Sequence, residues 1–253
     1  MIAVWAALGF VITLSNGCHR AAVFVSGFAL VSRQTYGALN IASSAGTRMI
    51  DRYDAEGAQS SFQPGSNEQV LSNKLGIIEP EDMDDAELVL LEKLYQSVLI
   101  EHLPDRSITV QDLKDWHRHW LGNIYPWADD VRAVNLGKDG FFFAAAPQIP
   151  RLLYGFERDC LAKYTPCRPD LDENLIRAIA VTHVEFILIH PFREGNGRLS
   201  RLLADVMAVQ AGYVPLDYSS WERNKEAYFA AINQGLNCNY EPMEYWVRQA
   251  LWT

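Results

Sequence analysis

The stretch from His190 to Arg201, HPFREGNGRLSR, constrains the fold and chemistry of this chain more than any other feature. An apolar helical pattern precedes it and must end near Ile189, because Pro191 disfavours α geometry in the residue before it. The glycines of Gly195-Asn196-Gly197 permit positive φ, and after them apolar residues return with helical spacing. The stretch therefore predicts two buried helices joined by a tight loop.

The same loop has the composition of a phosphate site. A helix that begins at a glycine-flanked turn presents unpaired N–H groups at the positive end of its dipole. Arg198 and Arg201 add guanidinium groups suited to phosphoryl oxygens, and Asn196 offers an amide donor. Glu194 has the opposite charge, so we expect it to hold a Mg²⁺ ion shared with a di- or triphosphate. His190 is placed to accept a proton from an attacking hydroxyl, since its ordinary pKa is near ~6.5.

Each part also has a plain structural interpretation. A lone histidine at a helix end is more often structural, Gly-Asn-Gly is a common turn, and two arginines one helical turn apart usually lie on a solvated face. Their combination within one short stretch favours a catalytic site.

Helical spacing predicts that most of the remaining chain is α-helical. Thr109 is expected to cap one helix, with Asp112 three residues later completing a variant of the capping box. The predicted helices cover 84–101, 109–120, 148–163, 173–189, 196–210, 222–234 and 240–251. Residues 51–76, around Pro64-Gly65, are expected to form an irregular arm.

Residues 131–143 are the exception to the helical pattern. VRAVNL alternates, GKDG supplies a turn and FFF follows, which predicts a β-hairpin with Gly137 and Gly140 at the bend. Phe141 and Phe143 could simply plug the core, with no role for Phe142, and the pattern alone does not decide this.

Composition limits the classes of function. The 253 residues predict one large domain, or one domain with an extension. The net charge of -9 argues against a broad nucleic-acid or anionic-membrane surface. The four cysteines have neither CxxC nor zinc-ribbon spacing, which is typical of reduced thiols in a cytoplasmic protein.

Residues 1–48 form an apolar N-terminal extension. Its apolar runs are shorter than the ~20 residues that span a bilayer, and its first charged residue, Arg20, follows the first run instead of preceding it as in a signal peptide. We considered a packed hairpin of helices, an atypical membrane or export segment, and sequence translated from upstream of the true start. The last is favoured, because ordinary composition begins around Met49.

The motif residues resemble the signature of the Fic family, HPFx(D/E)GNGRxxR, at every fixed position. YPWADDVRAVNL from Tyr125 resembles the family's YPWAGxxR stretch, and PGSNEQVLSNKLGI from Pro64 resembles the arm of bacterial members. The resemblance covers roughly residues 50–250, so we assign a Fic domain to 49–253. The chain departs from the pattern at Asp129, where the family usually has glycine.

This resemblance implies a mostly α fold, a Fic-type helical bundle with a short β-hairpin flap. It implies transfer of AMP from ATP to a Ser, Thr or Tyr hydroxyl of a target protein, with release of pyrophosphate. His190 would be the catalytic base and Glu194 would hold Mg²⁺. The flap at 131–143 would register the target segment by strand addition. The residues expected to bind nucleotide are Arg193, Glu194, Gly195, Asn196, Gly197, Arg198 and Arg201 in the active-site loop and the helix that follows it, and Phe142, Phe143 and Tyr228 outside them.

Alternative activities remain open from the sequence. Some relatives transfer UMP or phosphocholine, and a phosphate-transferring branch has lysine in place of Gly197. A metallohydrolase could use His117, His119, His183 and His190, although there is no HExxH. A binding module without activity would need a degraded motif, and this motif is complete.

Regulation can also be predicted from the resemblance. Many Fic proteins carry or receive an inhibitory helix with the pattern (S/T)xxxE(G/N). The chain lacks this pattern, and the nearest candidate, Glu56-Gly57, has Arg52 at the position that should be Ser or Thr. We therefore expect a separate small antitoxin protein to supply the helix, as in a toxin–antitoxin pair. The sequence does not identify the target protein.

Overall fold

The computed structural model describes residues 2–4, 11–13, 59, 61–138, 141–169 and 172–252. The chain divides into two compact units, Met1–Met49 and Ile50–Thr253. In the first unit, strands β1 (Ile2–Val4) and β2 (Val11–Thr13) pair antiparallel. These residues are strands and do not form the helices that one interpretation of 1–48 required. The rest of that segment, with Glu56-Gly57 and Cys18, lies outside the described residues.

The described residues of the second unit are mostly helical, as predicted, and include a small antiparallel sheet. Its helices are α1 (Pro80–Tyr95), α2 (Val110–Leu121), α3 (Ile149–Phe156), α4 (Ala162–Tyr164), α5 (Asp172–Ile189), α6 (Asn196–Gln210), α7 (Ser219–Arg223), α8 (Lys225–Gln234) and α9 (Glu241–Leu251). Strands β3 (Gly137–Lys138) and β4 (Phe141–Phe142) form the hairpin.

Helix α5 lies at the centre of this unit. It packs against α6, α9 and α3, and side chains on most of its surface are buried. Gly235 lies so close to it that an added Cβ would be 2.2 Å from a methyl carbon of Val184. Because α5 is covered on several sides, its C-terminal end at Ile189 holds the following loop in a defined position.

The first turn of α2 has the predicted capping box. The Asp112 N–H donates to the Thr109 hydroxyl at 3.2 Å, and the Thr109 N–H donates to the Asp112 carboxylate at 2.8 Å. Just after α2, the Ile124 carbonyl accepts a 2.8 Å hydrogen bond from the Lys74 N–H, which ties the irregular arm to the helical body.

Several predicted boundaries were wrong. The helix expected over 84–101 begins at Pro80 and becomes π-helical over Gln96–Glu101, and a second π-helical segment, Glu157–Leu161, interrupts the one expected over 148–163. The helix expected over 222–234 begins at Ser219 and is broken at Asn224, whose φ of -125° and ψ of 47° are not helical.

The hairpin is shorter than predicted. VRAVNL has the expected in–out alternation, since Arg132, Val134 and Leu136 are buried, but only Gly137–Lys138 is strand. The alternating segment makes a main-chain hydrogen bond to the loop after α5 instead of pairing with a strand. The Arg132 N–H donates to the Pro191 carbonyl at 2.9 Å. Gly137 lies in β3, not at the bend, and Gly140, the other glycine expected at the bend, is outside the described residues.

Two further sequence predictions concern cysteines and membranes. Cys160, Cys167 and Cys238 are free thiols, and Cys18 lies outside the described residues. Within the described ranges, no helix combines the length and the apolar character that crossing a bilayer requires.

Candidate active site

The loop between α5 and α6 places His190 in an unusual backbone conformation. Its φ is +50°, so the chain leaves α geometry before Pro191, but it does so in the left-handed region and not in the extended region that a following proline favours. Its N–H still donates to the Phe186 carbonyl at 2.9 Å, and its own carbonyl accepts from Arg132 Nε at 2.6 Å. The backbone of the histidine is therefore held from both sides.

The His190 imidazole is buried, and the ring of Phe143 stacks on it at 3.7 Å between centroids. Its Nδ1 lies 3.3 Å from the Ile187 carbonyl, an acceptor, so the proton resides on Nδ1 and Nε2 carries the lone pair. Burial lowers the pKa of His190 to about 3, the charge of Arg132 acts in the same direction, and Glu194 opposes them. The ring is thus neutral near pH 7 and able to accept a proton.

Asn196 has a structural role that the sequence did not predict. Its Oδ1 accepts from the Phe192 N–H and its Nδ2 donates to the Phe192 carbonyl, both at 2.8 Å. Both polar atoms of this side chain take part in closing the loop, and because the amide nitrogen has a second N–H, its use as a phosphate donor stays a prediction. Phe192 is buried and stacks on His117 at 4.1 Å between ring centroids.

The two motif glycines differ in what their surroundings require. Gly195 has φ +81°, and an added Cβ would lie 2.7 Å from the Trp120 ring. Gly197 lies in the first turn of α6, is exposed, and has nothing within 4 Å of an added Cβ. The N–H groups of this first turn have no intrahelical acceptor and lie at the positive end of the helix dipole, where an anion is favoured.

Arg198 is held by two carboxylates. Its Nη2 lies 2.7 Å from Glu87 and 3.4 Å from Glu194, and its guanidinium lies 4.5 Å over the Trp120 ring. Burial alone would lower the pKa of Arg198, but the two carboxylates outweigh it and raise the pKa. Glu87 is itself buried and also accepts from the Tyr125 hydroxyl at 2.7 Å.

Arg201 lies one turn further along α6 and is paired with Glu222 of α7 at 3.0 Å. Its guanidinium lies 4.9 Å over the ring of Tyr218. The Tyr218 hydroxyl is 3.0 Å from the Arg201 carbonyl and 2.9 Å from the buried carboxylate of Asp205. Both predicted phosphate-binding arginines are therefore at the start of α6, and each is paired with an acidic residue from another helix.

The other predicted nucleotide contacts lie in different surroundings. Arg193 is buried, and its Nε donates to the Gln59 carbonyl of the arm at 3.0 Å. Phe142 is 71% exposed on the flap, whereas Phe143 covers His190. Tyr228 is buried, with its hydroxyl 2.7 Å from His183 Nε2 and its ring stacked on Trp221. A contact of Tyr228 with adenine stays a prediction.

Glu194 supplies a carboxylate, a type of ligand that suits the predicted Mg²⁺ site. Its carboxylate Oε1 accepts from the Gly195 N–H at 3.0 Å, beside the N-terminus of α6. Mg²⁺ commonly takes one protein carboxylate together with substrate phosphates and water. Within the described ranges, no group of three or more His, Cys, Asp or Glu side chains could hold a metal by itself.

Two of the histidines considered for a metallohydrolase, His117 and His183, have other partners. His117 Nδ1 accepts from the Asp129 N–H at 2.9 Å, and its Nε2 lies 3.1 Å from the Glu194 carbonyl. His183 contacts Tyr228, as described above. Both nitrogens of His117 therefore support the loop, and this geometry offers no support for a histidine metal site.

Two charged residues of the site were not predicted from the sequence. Glu87 lies on the buried face of α1 with Met83 and Leu91, at spacings of four residues, so a carboxylate within an apolar stripe was the available signal. Arg132 takes an inward position of the alternating flap segment. The φ of Asp129 is +71°, a conformation that glycine adopts without strain, which accounts for the glycine that the family pattern usually has at this position.

Comparisons with known proteins show what this chain is similar to. The family model described as Fic/DOC family matches residues 107–208. A probable protein adenylyltransferase of Sinorhizobium fredii (strain NBRC 101917 / NGR234) is 29% identical over 159 residues, covering 63% of this chain and 79% of that protein. The protein adenylyltransferase Fic of Drosophila yakuba is 29% identical over 131 residues, covering 51% of this chain. The match spans only 26% of the length of that Drosophila protein.

Solved structures share the fold. The N-terminal Fic domain of a Bartonella effector protein from Bartonella sp. AR 15-3 has a TM-score of 0.62 at 21% identity, covering 83% of this chain and 93% of that chain. The BepC protein of Bartonella tribocorum, solved with bound AMPPNP, has a TM-score of 0.60 at 21% identity, covering 76% of this chain and 96% of that chain. At these identities the likeness concerns the fold alone.

Proposed function

Because the chain is a Fic family protein, we propose that it is a protein adenylyltransferase. It transfers AMP from ATP to a Ser, Thr or Tyr hydroxyl of a target protein and releases pyrophosphate. The observation that carries this proposal is the neutral, buried imidazole of His190 just before the N-terminus of α6, where two arginines lie one turn apart. This arrangement joins a base to an anion site within one short loop.

The proposed reaction is an in-line displacement at the α-phosphorus. The target hydroxyl oxygen forms the new bond to phosphorus as its proton moves to His190 Nε2. The bond from the α-phosphorus to the bridging oxygen breaks, and pyrophosphate leaves with that oxygen. The N–H groups at the start of α6, with Arg198 and Arg201, stabilise the negative charge on the phosphates.

Glu194 is proposed to hold Mg²⁺ at this site. The ion would supply neutralisation of phosphate charge, as divalent cations do in other nucleotide sites. The Glu194 carboxylate is oriented by the N–H of Gly195, and its main-chain carbonyl is held by His117. The chain's own contribution is therefore to hold one carboxylate beside the phosphate-binding end of α6.

The two arginines are expected to contribute differently. The Glu87 side chain is 4% exposed, so the pair with Arg198 is protected from solvent and holds that guanidinium in place. The Glu222 side chain is 41% exposed, and an exposed pair stabilises by only about 0–1 kcal/mol. Arg201 is therefore the arginine that exchanges its carboxylate for phosphate oxygens at little cost.

The target and regulation belong to the same proposal. The edge of the β3–β4 hairpin, where Phe142 is exposed, is the proposed surface for a target segment that adds as a strand. A separate antitoxin is proposed to bind near Arg201, making this protein the toxin of a cytoplasmic toxin–antitoxin pair. The lack of an (S/T)xxxE(G/N) pattern supports this partner, which co-expression and co-purification would identify.

Labelled ATP tests the reaction. With Mg²⁺ and a host lysate, label in the α-phosphate should be incorporated into protein, whereas label in the γ-phosphate should not. His190→Ala should reduce incorporation by about 10²–10⁴-fold, the usual contribution of a general base. His119→Ala, an exposed histidine of α2, is the matched control and should retain activity.

The same experiment separates the alternatives. Incorporation of label from the γ-phosphate would indicate that the protein transfers phosphate instead of AMP. Incorporation from labelled UTP in preference to ATP would indicate that it transfers UMP. Mass spectrometry of the labelled proteins should find an added AMP on a hydroxyl residue and would identify the target.

A further inference from the structure

Arg132 is a fully buried cation whose partners, among the described residues, are main-chain carbonyl oxygens. Its side chain donates from Nε to His190 at 2.6 Å, from Nη1 to Val134 at 2.5 Å and from Nη2 to Ala144 at 2.5 Å. Nη2 also lies 3.3 Å from the Ile189 carbonyl. Burial lowers the pKa of Arg132 to about 10, and Arg193 adds to this, so the group is still charged at neutral pH.

These partners join three parts of the site. Val134 precedes β3 and Ala144 follows β4, so one guanidinium holds both limbs of the hairpin. The same group holds the carbonyl of His190, whose backbone is in the left-handed region. Two main-chain bonds run in parallel, from the Arg132 N–H to Pro191 at 2.9 Å and from the Ala144 N–H to Leu188 at 3.2 Å.

Phe143, which lies between Val134 and Ala144 in the chain, covers the His190 imidazole. Phe143 stacks on His190, with 20° between the ring planes. The position of the hairpin and that of the imidazole are consequently set by the same buried group. A planar guanidinium can donate in three directions at once, whereas a lysine ammonium on a flexible stem cannot reproduce that fork.

We propose that Arg132 is a positioning residue that locks the β3–β4 hairpin to the His190 carbonyl, so that an acceptor hydroxyl carried along the hairpin meets the base in register. This inference rests on the proposed function of the site. Arg132 does not touch the reacting atoms in this arrangement. It acts through the position of His190 and of the hairpin.

The charge of Arg132 has a second consequence for His190. Besides burial, the charged groups among the described residues that act on this imidazole include Arg132 and Lys138, which lower its pKa, and Glu194, which raises it. Removing the positive charge of Arg132 should therefore raise the pKa of His190. Replacing its guanidinium by a lysine ammonium, which keeps the charge, should leave that pKa unchanged.

Two substitutions separate the fork from the charge. Arg132→Lys keeps the charge and loses the fork, and Arg132→Met loses both. For each we would measure ATP affinity, kcat and KM for a protein acceptor, and the pKa of His190 by NMR titration of the unliganded protein. Arg151→Met, at an exposed arginine of α3, is the control and should match the wild type in all of these.

Arg132→Lys should lower kcat about 10²-fold, the scale of a small misplacement of reacting groups, with ATP affinity within about 2-fold and the His190 pKa unchanged. Arg132→Met should show a similar loss in kcat and raise the His190 pKa by roughly one unit or more. If Arg132→Met does not fold, the lysine variant carries the test.

Full kcat in Arg132→Lys, or equal losses in kcat and ATP affinity, would overturn the inference. So would an unchanged His190 pKa in a folded Arg132→Met variant. The NMR titration needs no turnover, so it still tests the link between Arg132 and His190 if the wild-type protein proves inactive in AMP transfer. That inactivity would count against the proposed function instead.

Discussion

Gly195 is subject to two independent constraints in the active-site loop. Its φ of +81° is costly for any residue with a Cβ, and that Cβ would lie 2.7 Å from the Trp120 ring. We expect Gly195→Ala to lower the free energy of unfolding by about 1–3 kcal/mol, through backbone strain and overpacking. Urea unfolding would measure the change.

Gly197→Ala is the matched control for stability. A Cβ at that position meets open space, so its free energy of unfolding should stay within about 0.5 kcal/mol of the wild type. Equal losses for the two variants would mean that the Trp120 contact and the positive φ of Gly195 carry no special cost.

At the scale of elements, the pair between Glu87 and Arg198 joins α1 to α6. Glu87→Gln would leave the buried guanidinium with less compensating charge, and Arg198→Gln would do the same to the buried carboxylate. Because Arg198 is 33% exposed at its side chain, we expect the double-mutant coupling to be about 1–3 kcal/mol, below the value for a fully buried pair.

A double-mutant cycle in urea unfolding measures this coupling. Arg106 and Asp112, an ion pair with 59% and 14% exposed side chains, provide the comparison and should couple by less than about 1 kcal/mol. Strict additivity of Glu87→Gln and Arg198→Gln would show that the two helices are held together by packing alone.

At the scale of the whole molecule, stability should depend on pH through buried histidines. Burial lowers the pKa of His117 to about 4 and those of His183 and His190 to about 3. In the unfolded chain each binds a proton near pH ~6.5. The unfolded state therefore holds more protons between about pH 4 and 6.5, and each histidine makes stability rise with pH by at most about 1.4 kcal/mol per unit.

Two buried carboxyls act in the opposite direction. Burial raises the pKa of Asp205 to about 7 and also raises that of Glu87, so the folded state keeps protons that the unfolded state loses near pH ~4. The three histidines outnumber them, and we expect a net rise in the free energy of unfolding from pH 4.5 to 6. Urea unfolding should show a steeper rise for Asp205→Asn and a shallower one for His183→Gln. A wild-type curve that falls over this range would contradict the assignment.

Much of the architecture could be predicted from the sequence because its signals are local. Pro191 ends α5, Thr109 and Asp112 cap α2, and the glycines open α6, each within a few residues of the feature it determines. The predicted bounds of α6 agree with the structure, whereas the interruptions at 96–101, 157–161 and 224 carry no local signal of comparable strength.

The sequence by itself determined the kind of loop, its charges and the family that it resembles. Only the tertiary structure decided the partners of those charges: Glu87 with Arg198, Glu222 with Arg201, and Arg132 with the His190 carbonyl. The reason is physical. A cap or a turn depends on neighbouring residues, whereas a buried ion pair depends on which elements meet in space, often more than fifty residues apart in the chain.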